Sequence, residues 1–171
     1  MKIGLISDTH ITEKRGKLSE KVLKTFNGVD LILHAGDISS QIVLDELSQK
    51  APTIAVEGNN DRTHKTLDLN PIEIIEISDL KILLTHGDKL PSGKFNKYHE
   101  FAQKHDADIL ISGHSHKPHL EKIENILLIN PGSPNRPLKS DASIAILTID
   151  EAKDYKKKLD KVNVEFIKIE K

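Results

Sequence analysis

The sequence predicts an α/β fold in which two mixed β-sheets pack face to face with helices outside, and three observations carry that expectation. Over residues 2–56 short apolar segments alternate with segments of helical spacing, the βαβαβ pattern of a parallel sheet covered by helices. After residue 72 paired apolar segments joined by short polar turns take over, as antiparallel strands require. Five of the apolar segments end in clusters of Asp, Asn, His and Gly, the place where open α/β sheets gather their ligands.

Taken in order, residues 2–7 read as a buried strand and residues 9–16 as a polar loop. Leu18, Val22, Leu23 and Phe26 have helical spacing over 18–26. Residues 30–33 form a second strand that opens into His34-Ala35-Gly36-Asp37. Ser39 or Ser40 caps a helix over 41–49, whose stripe is Ile42, Val43, Leu44 and Leu47. Residues 53–56 form a third strand ending in Glu57-Gly58-Asn59-Asn60-Asp61. Residues 72–77 and 80–84 form a hairpin about Ser78-Asp79, and its second strand runs into Thr85-His86-Gly87-Asp88. Residues 87–93 form a loop, and residues 95–104 a helix with Phe95, Tyr98 and Phe101 or Ala102 inward. Residues 108–111 form a short strand ending in Ser112-Gly113-His114-Ser115-His116. Strands are expected over 119–123, 126–130, 143–149 and 162–169, with a turn at Asn130-Pro131-Gly132-Ser133-Pro134. No repeat or linker divides the chain, so residues 1–171 are expected to form one domain.

Composition narrows the function classes. Apolar residues are 37% and charged residues 30%, which suits a folded chain rather than a disordered one. The net charge of -1 gives no electrostatic reason to expect nucleic-acid or anionic-membrane binding, and the lysines of 153–161 read as solvated surface. The absence of cysteine excludes thiolate ligands and a cysteine nucleophile, and fits a reducing compartment. No apolar run approaches the roughly 20 residues of a membrane helix, and no signal segment is recognisable, so a cytoplasmic protein is expected. Abundant Lys, Glu and Ile with scarce Met and Trp follow the drift of proteins from hot environments.

The five clusters supply Asp8 and His10, Asp37, Asn59, His86, and His114 and His116. Two carboxylates, an amide oxygen and four imidazoles suit Mn²⁺, Fe²⁺, Zn²⁺, Co²⁺ or Ni²⁺ better than Ca²⁺. Seven ligands are too many for one ion but suit two if a carboxylate bridges.

In this order, Asp-x-His, Gly-Asp, Gly-Asn-x-Asp, His-Gly and Gly-His-x-His resemble the calcineurin-like metallophosphoesterase superfamily. The compact length and Asn130-Pro131-Gly132-Ser133 are similar to its small YfcE-type phosphodiesterase branch, which is related to a retromer subunit. The resemblance implies a four-layer αββα sandwich. It implies a first metal on Asp8, His10 and His116, a second on Asn59, His86 and His114, and Asp37 bridging them. It further implies two divalent transition-metal ions, Mn²⁺ first, with a bridging hydroxide attacking a small phosphodiester directly. Alternatives are a phosphomonoesterase, or a scaffold that keeps the fold and binds a protein partner. Oligomeric state is open, a homodimer among the options.

One departure matters. Many family members carry His where this chain has Asn60, at a position implied to contact phosphate or protonate the leaving group. A carboxamide donates hydrogen bonds but supplies no proton near neutral pH, so diesters with good leaving groups are expected as substrates. Asp61 is expected to orient a ligand or its loop. Arg136 and Lys139 are candidates for contact with substrate phosphate or an acidic partner. The 87–93 loop is a candidate wall of the pocket. His34 either supports a ligand or is a buried structural residue, while His64, His99, His105 and His119 are expected at the surface or in loops.

Overall fold

Strand periodicity sorts the apolar side chains of this chain onto three parallel surfaces. The structure is a computed structural model that describes residues 1–12, 16–64, 67–91, 93–151 and 155–170. The first sheet has the order β10-β9-β1-β2-β3, from Val162–Lys168, Ser143–Ile149, Lys2–Ile6, Leu31–His34 and Thr53–Ala55. Within it β1, β2 and β3 run parallel, while β9 and β10 are antiparallel additions. The second sheet has the order β4-β5-β6-β8-β7, from Ile72–Ile77, Leu80–Thr85, Ile109–Ile111, Ile126–Pro131 and Pro118–Ile123. Its centre, β5, β6 and β8, is parallel and both edges are antiparallel.

Successive side chains of a strand point to opposite faces. Ile3, Leu5, Leu31, Leu33 and Leu147 therefore meet Ile82, Leu84, Ile109, Ile111 and Ile129 between the sheets. The alternate residues Ile6, Ile32 and Ile144 face Val22 of α1 (Glu20–Thr25) and Val43 and Leu47 of α2 (Gln41–Ser48). On the far side Leu83, Leu110 and Leu128 face Tyr98 and Ala102 of α4 (Phe95–Lys104). The result is the expected four-layer αββα sandwich of two mixed sheets. Burial on both faces explains why these strands read as nearly continuous apolar runs. Among the described residues no helix is long and apolar enough to cross a membrane.

Several details differ from the sequence reading. Asn59–His64 is a helix, α3, although its Asn-Asn-Asp start favours turns by propensity. Leu18 lies ahead of α1, because Ser19 caps it by accepting a hydrogen bond from the Val22 N–H. Strand β8 continues through Pro131, opposite Pro118, so the turn begins one step later than Asn130 suggested. His99 is not at the surface: four residues after Phe95, it shares the buried side of α4 and is 8% exposed. The expected loops over 9–16 and 87–93 include residues 13–15 and 92, which lie outside the described set, as does Lys153 of the lysine run. Within that run Lys158 pairs with Asp108 at 3.1 Å and Lys161 pairs with Asp79.

Candidate metal centre

Parallel strands bring their carboxyl ends to one edge, and the loops leaving them stay in register. The Asp8 and His10 N–H groups donate to the Gly36 and Asp37 carbonyls, both at 3.0 Å. In the second sheet the Gly113 N–H donates to the His86 carbonyl at 3.0 Å. All five polar clusters thus meet at one site.

The donors converge as two overlapping groups, Asp8–His10–His116 and Asp8–Asp37–His86, each with ligand atoms within 4.8 Å of one another. Asp8 Oδ1 lies 3.3 Å from His116 Nε2, 3.9 Å from His10 Nε2 and 4.0 Å from His86 Nε2. Asp37 Oδ2 stands between His10 Nε2 at 3.5 Å and His86 Nε2 at 3.4 Å. Asn59 Oδ1 is 3.2 Å from both His86 Nε2 and His114 Nδ1. The imidazoles are aimed from behind: His86 Nδ1 faces the Ala35 carbonyl at 2.7 Å and His116 Nδ1 faces the Arg136 carbonyl. A carbonyl can only accept, so Nδ1 carries a proton in both rings, and Nε2 presents a lone pair whenever the ring is neutral.

The backbone is strained where the candidate ligands sit. Asp8, His10, Asp37, His114 and His116 all have positive φ, between 48° and 65°. Such left-handed residues cost energy and persist only where the surroundings over-determine them. Here that role falls to buried side chains. Asp61 accepts hydrogen bonds from the N–H groups of Ile38, Ser39 and Gly58, tying the Asp37 loop to the Asn59 helix. Ser133 Oγ donates to the Asp8 carbonyl at 2.7 Å, and Asn130 Nδ2 donates to the Gly113 carbonyl at 2.6 Å. His34 Nδ1 accepts from the Gly36 N–H, and its Nε2 lies 3.1 Å from Thr9 Oγ1, which joins the first two loops. Gly58 and Gly113 are needed for space: a Cβ would fall 2.1 Å from Asp37 Oδ1 at the first and 2.7 Å from Asp8 Oδ2 at the second.

Electrostatics follow from burial and from these partners. Burial raises the Asp8 carboxyl to about 6, against the opposing pull of His86 and His116. Burial would raise Asp37 too, but hydrogen bonds and charge from His86, with two hydrogen bonds from Asn60, hold it well below the usual range. Burial lowers His10 to about 4 and His34 to about 3. For His86 the hydrogen bond to Asp37 and the Asp8 charge outweigh burial and raise it. Asp8 Oδ1 is buried and accepts no hydrogen bond from the described residues. A buried carboxylate oxygen with no donor among the described residues, facing imidazole Nε2 atoms, fits a divalent cation.

The remaining predicted residues also lie here. Asn60 donates its backbone N–H to Asp37 Oδ1 at 2.8 Å and its amide Nδ2 to Asp37 Oδ2. The exposed Arg136 follows Ser133, to whose Oγ its N–H donates, and its charge reaches His10. Sequence reasoning named Asn130 and Ser133 only as part of a turn and a family segment and passed over Thr9, because their partners, Gly113, Asp8 and His34, lie on other loops. It also passed over Arg62, which joins α3 to Glu57 and Asp88.

Comparison with known proteins agrees with this geometry. Residues 1–152 match the calcineurin-like phosphoesterase superfamily domain. A probable metallophosphoesterase of Methanothermobacter thermautotrophicus is 40% identical, over 90% of this chain and 88% of its own. A phosphodiesterase of Methanocaldococcus jannaschii is 34% identical, over 91% and 97%. The structure of an archaeal phosphodiesterase superposes with a TM-score of 0.67 at 27% identity, covering 98% of this chain and 100% of that one. Vps29 of Entamoeba histolytica, solved in complex with zinc, has the same fold, with a TM-score of 0.79 at 24% identity over 99% and 100%. The chain belongs to the calcineurin-like phosphoesterase superfamily and is a metal-dependent phosphoesterase.

Proposed function

We propose that the chain is a phosphodiesterase that holds two divalent transition-metal ions, one on Asp8, His10 and His116, the other on Asn59, His86 and His114, with Asp37 shared. The observation that carries this reading is the buried Asp8 Oδ1, without a hydrogen-bond donor and with three imidazole Nε2 atoms within 4.0 Å. Mn²⁺ is the first candidate, ahead of Ni²⁺, Fe²⁺, Co²⁺ and Zn²⁺, because hard oxygen donors are mixed with imidazoles and no thiolate is present.

When bound, such ions supply positive charge against phosphoryl oxygens and acidify water into a nucleophile at neutral pH. The chain's own residues orient and select. Asp37 stays ionised throughout the neutral range. One amide N–H of Asn60 goes to Asp37, and the other, with no partner among the described residues, can meet a phosphoryl oxygen. Arg136 offers a guanidinium to the same substrate. No proton comes from Asn60, so the reaction favours diesters whose leaving group departs readily as an anion. The M. jannaschii relative named a phosphodiesterase supports this choice.

The test is hydrolysis of bis-p-nitrophenyl phosphate beside p-nitrophenyl phosphate, on metal-stripped protein reloaded with each ion. Metal-dependent cleavage of the diester with little of the monoester is expected. Monoester preference would overturn the assignment of Asn60, and metal binding with no cleavage of either would favour a scaffold. Asn60→His should raise turnover on diesters with poorer leaving groups, since general-acid help is worth about 10²–10⁴ in rate.

A further inference from the structure

Beside the ligand cluster lies a cavity of 530 Å³ that the chemistry above leaves unused. It starts at His114 and Ser115, so it opens directly onto the site. Leu128 and Ile129 of β8, Phe95 and Tyr98 of α4, His119 of β7 and Leu138 supply its apolar walls. Phe95 and His119 stack with ring centroids 3.7 Å apart and planes 5° from parallel, and Phe95 and Tyr98 centroids are 6.0 Å apart. The chain has only four Phe, two Tyr and no Trp, yet two of those six rings line this one cavity. The exposed Lys117 and Lys139 also line it, and neither has an ion pair among the described residues. The approach is therefore positive toward an anionic ester.

A concave, largely apolar space of this size beside convergent polar groups is the usual form of a small-molecule subsite. We infer that this cavity takes a planar aryl or heteroaryl ester group of the substrate, with the phosphoryl group on the ligand cluster, and that Phe95 and His119 set this specificity. The inference rests on the phosphoesterase reading of the cluster. Stacked and tilted rings favour a flat aromatic occupant over an alkyl one. Sequence reasoning expected a pocket wall from 87–93 and met it only in part, at Gly93, and it expected His119 in a loop or at the surface.

Calorimetric binding of phenylphosphonate and methylphosphonate to Mn²⁺-loaded protein tests it, because the two share a phosphoryl head and differ only in the ring. Burial of the ring should make phenylphosphonate at least about tenfold tighter. Phe95→Ala and His119→Ala should each bring the two Kd values within about threefold, leaving that of methylphosphonate unchanged. His119 lies on an edge strand and is only half-buried, so His119→Ala carries the test if Phe95→Ala does not fold. Equal affinities in the wild type, or a ratio that survives His119→Ala, would overturn the proposal and leave the phosphoryl site standing. If neither phosphonate binds, the phosphoryl reading fails and takes the aryl subsite with it.

Discussion

Asp61 never touches the proposed ions, yet its removal should be among the most damaging changes to the site. Its side chain is 1% exposed and accepts from three backbone N–H groups: Ser39 at 2.8 Å, Gly58 at 2.9 Å and Ile38 at 3.0 and 3.1 Å. In Asp61→Asn one oxygen becomes an NH₂ that cannot accept. Facing Gly58 or the Ile38–Ser39 pair, it leaves at least one buried N–H unpaired. The surviving bonds lose their ionic character. An unpaired buried donor costs about 1–3 kcal/mol, and two weakened charged bonds about 1 kcal/mol each, so a loss of about 3–5 kcal/mol is expected. For a chain of this length that corresponds to a fall in Tm of about 6–20 °C. The same bonds hold Asp37 against Asn59, so Mn²⁺ affinity should fall with stability. Urea denaturation of metal-free protein and calorimetric titration with Mn²⁺ measure the two effects. If Asp61→Asn unfolds within about 0.5 kcal/mol of wild type, or binds Mn²⁺ equally well, the bridging role is refuted.

Other consequences are more local. Gly58→Ala places a methyl 2.1 Å from Asp37 Oδ1 and 2.4 Å from its backbone nitrogen, so the Asp37 loop must move. Metal titration should show at least about a tenfold loss of affinity, and wild-type binding would contradict the packing. Metal affinity should also weaken as pH falls, because His86, raised above its ordinary value, takes up a proton first and the Asp8 carboxyl takes one up near about 6, and both protons compete with a cation. A flat affinity between pH 5 and 7.5 would contradict this. His34, buried and neutral with its pKa lowered to about 3, stays unprotonated while the unfolded chain gains a proton below the usual 6.5. Its contribution is therefore complete above 6.5 and is lost as pH falls toward 3. His34→Gln should show a shallower loss of urea stability between pH 7 and 4 than wild type, and an unchanged slope would remove His34 from this role.

The legible part of the molecule was local. Five apolar segments ending in ligand-type residues could be read directly, because strand periodicity and side-chain chemistry are written in consecutive positions. Helix α4 was readable to its ends for the same reason, from Phe95 to Lys104. His99 was misplaced because a polar residue on a helix is assigned outward unless its angular position relative to Phe95 and Ala102 is weighed. The helical state of Asn59–His64 was hidden because its intrinsic preference opposes it, while hydrogen bonds that Asp61 accepts from two loops hold it in place.

By itself, then, the sequence determined the alternation of strands and helices, the sidedness of each strand and the kinds of atom offered to a metal. Those properties depend on residues two to four positions apart. Tertiary structure decided which strands are neighbours and the left-handed backbone at five of the seven candidate ligands. It also decided the support of Asp8 by Ser133 and the cavity between α4 and β8. Each of these joins groups distant along the chain, and their energies arise only when burial removes water from both partners.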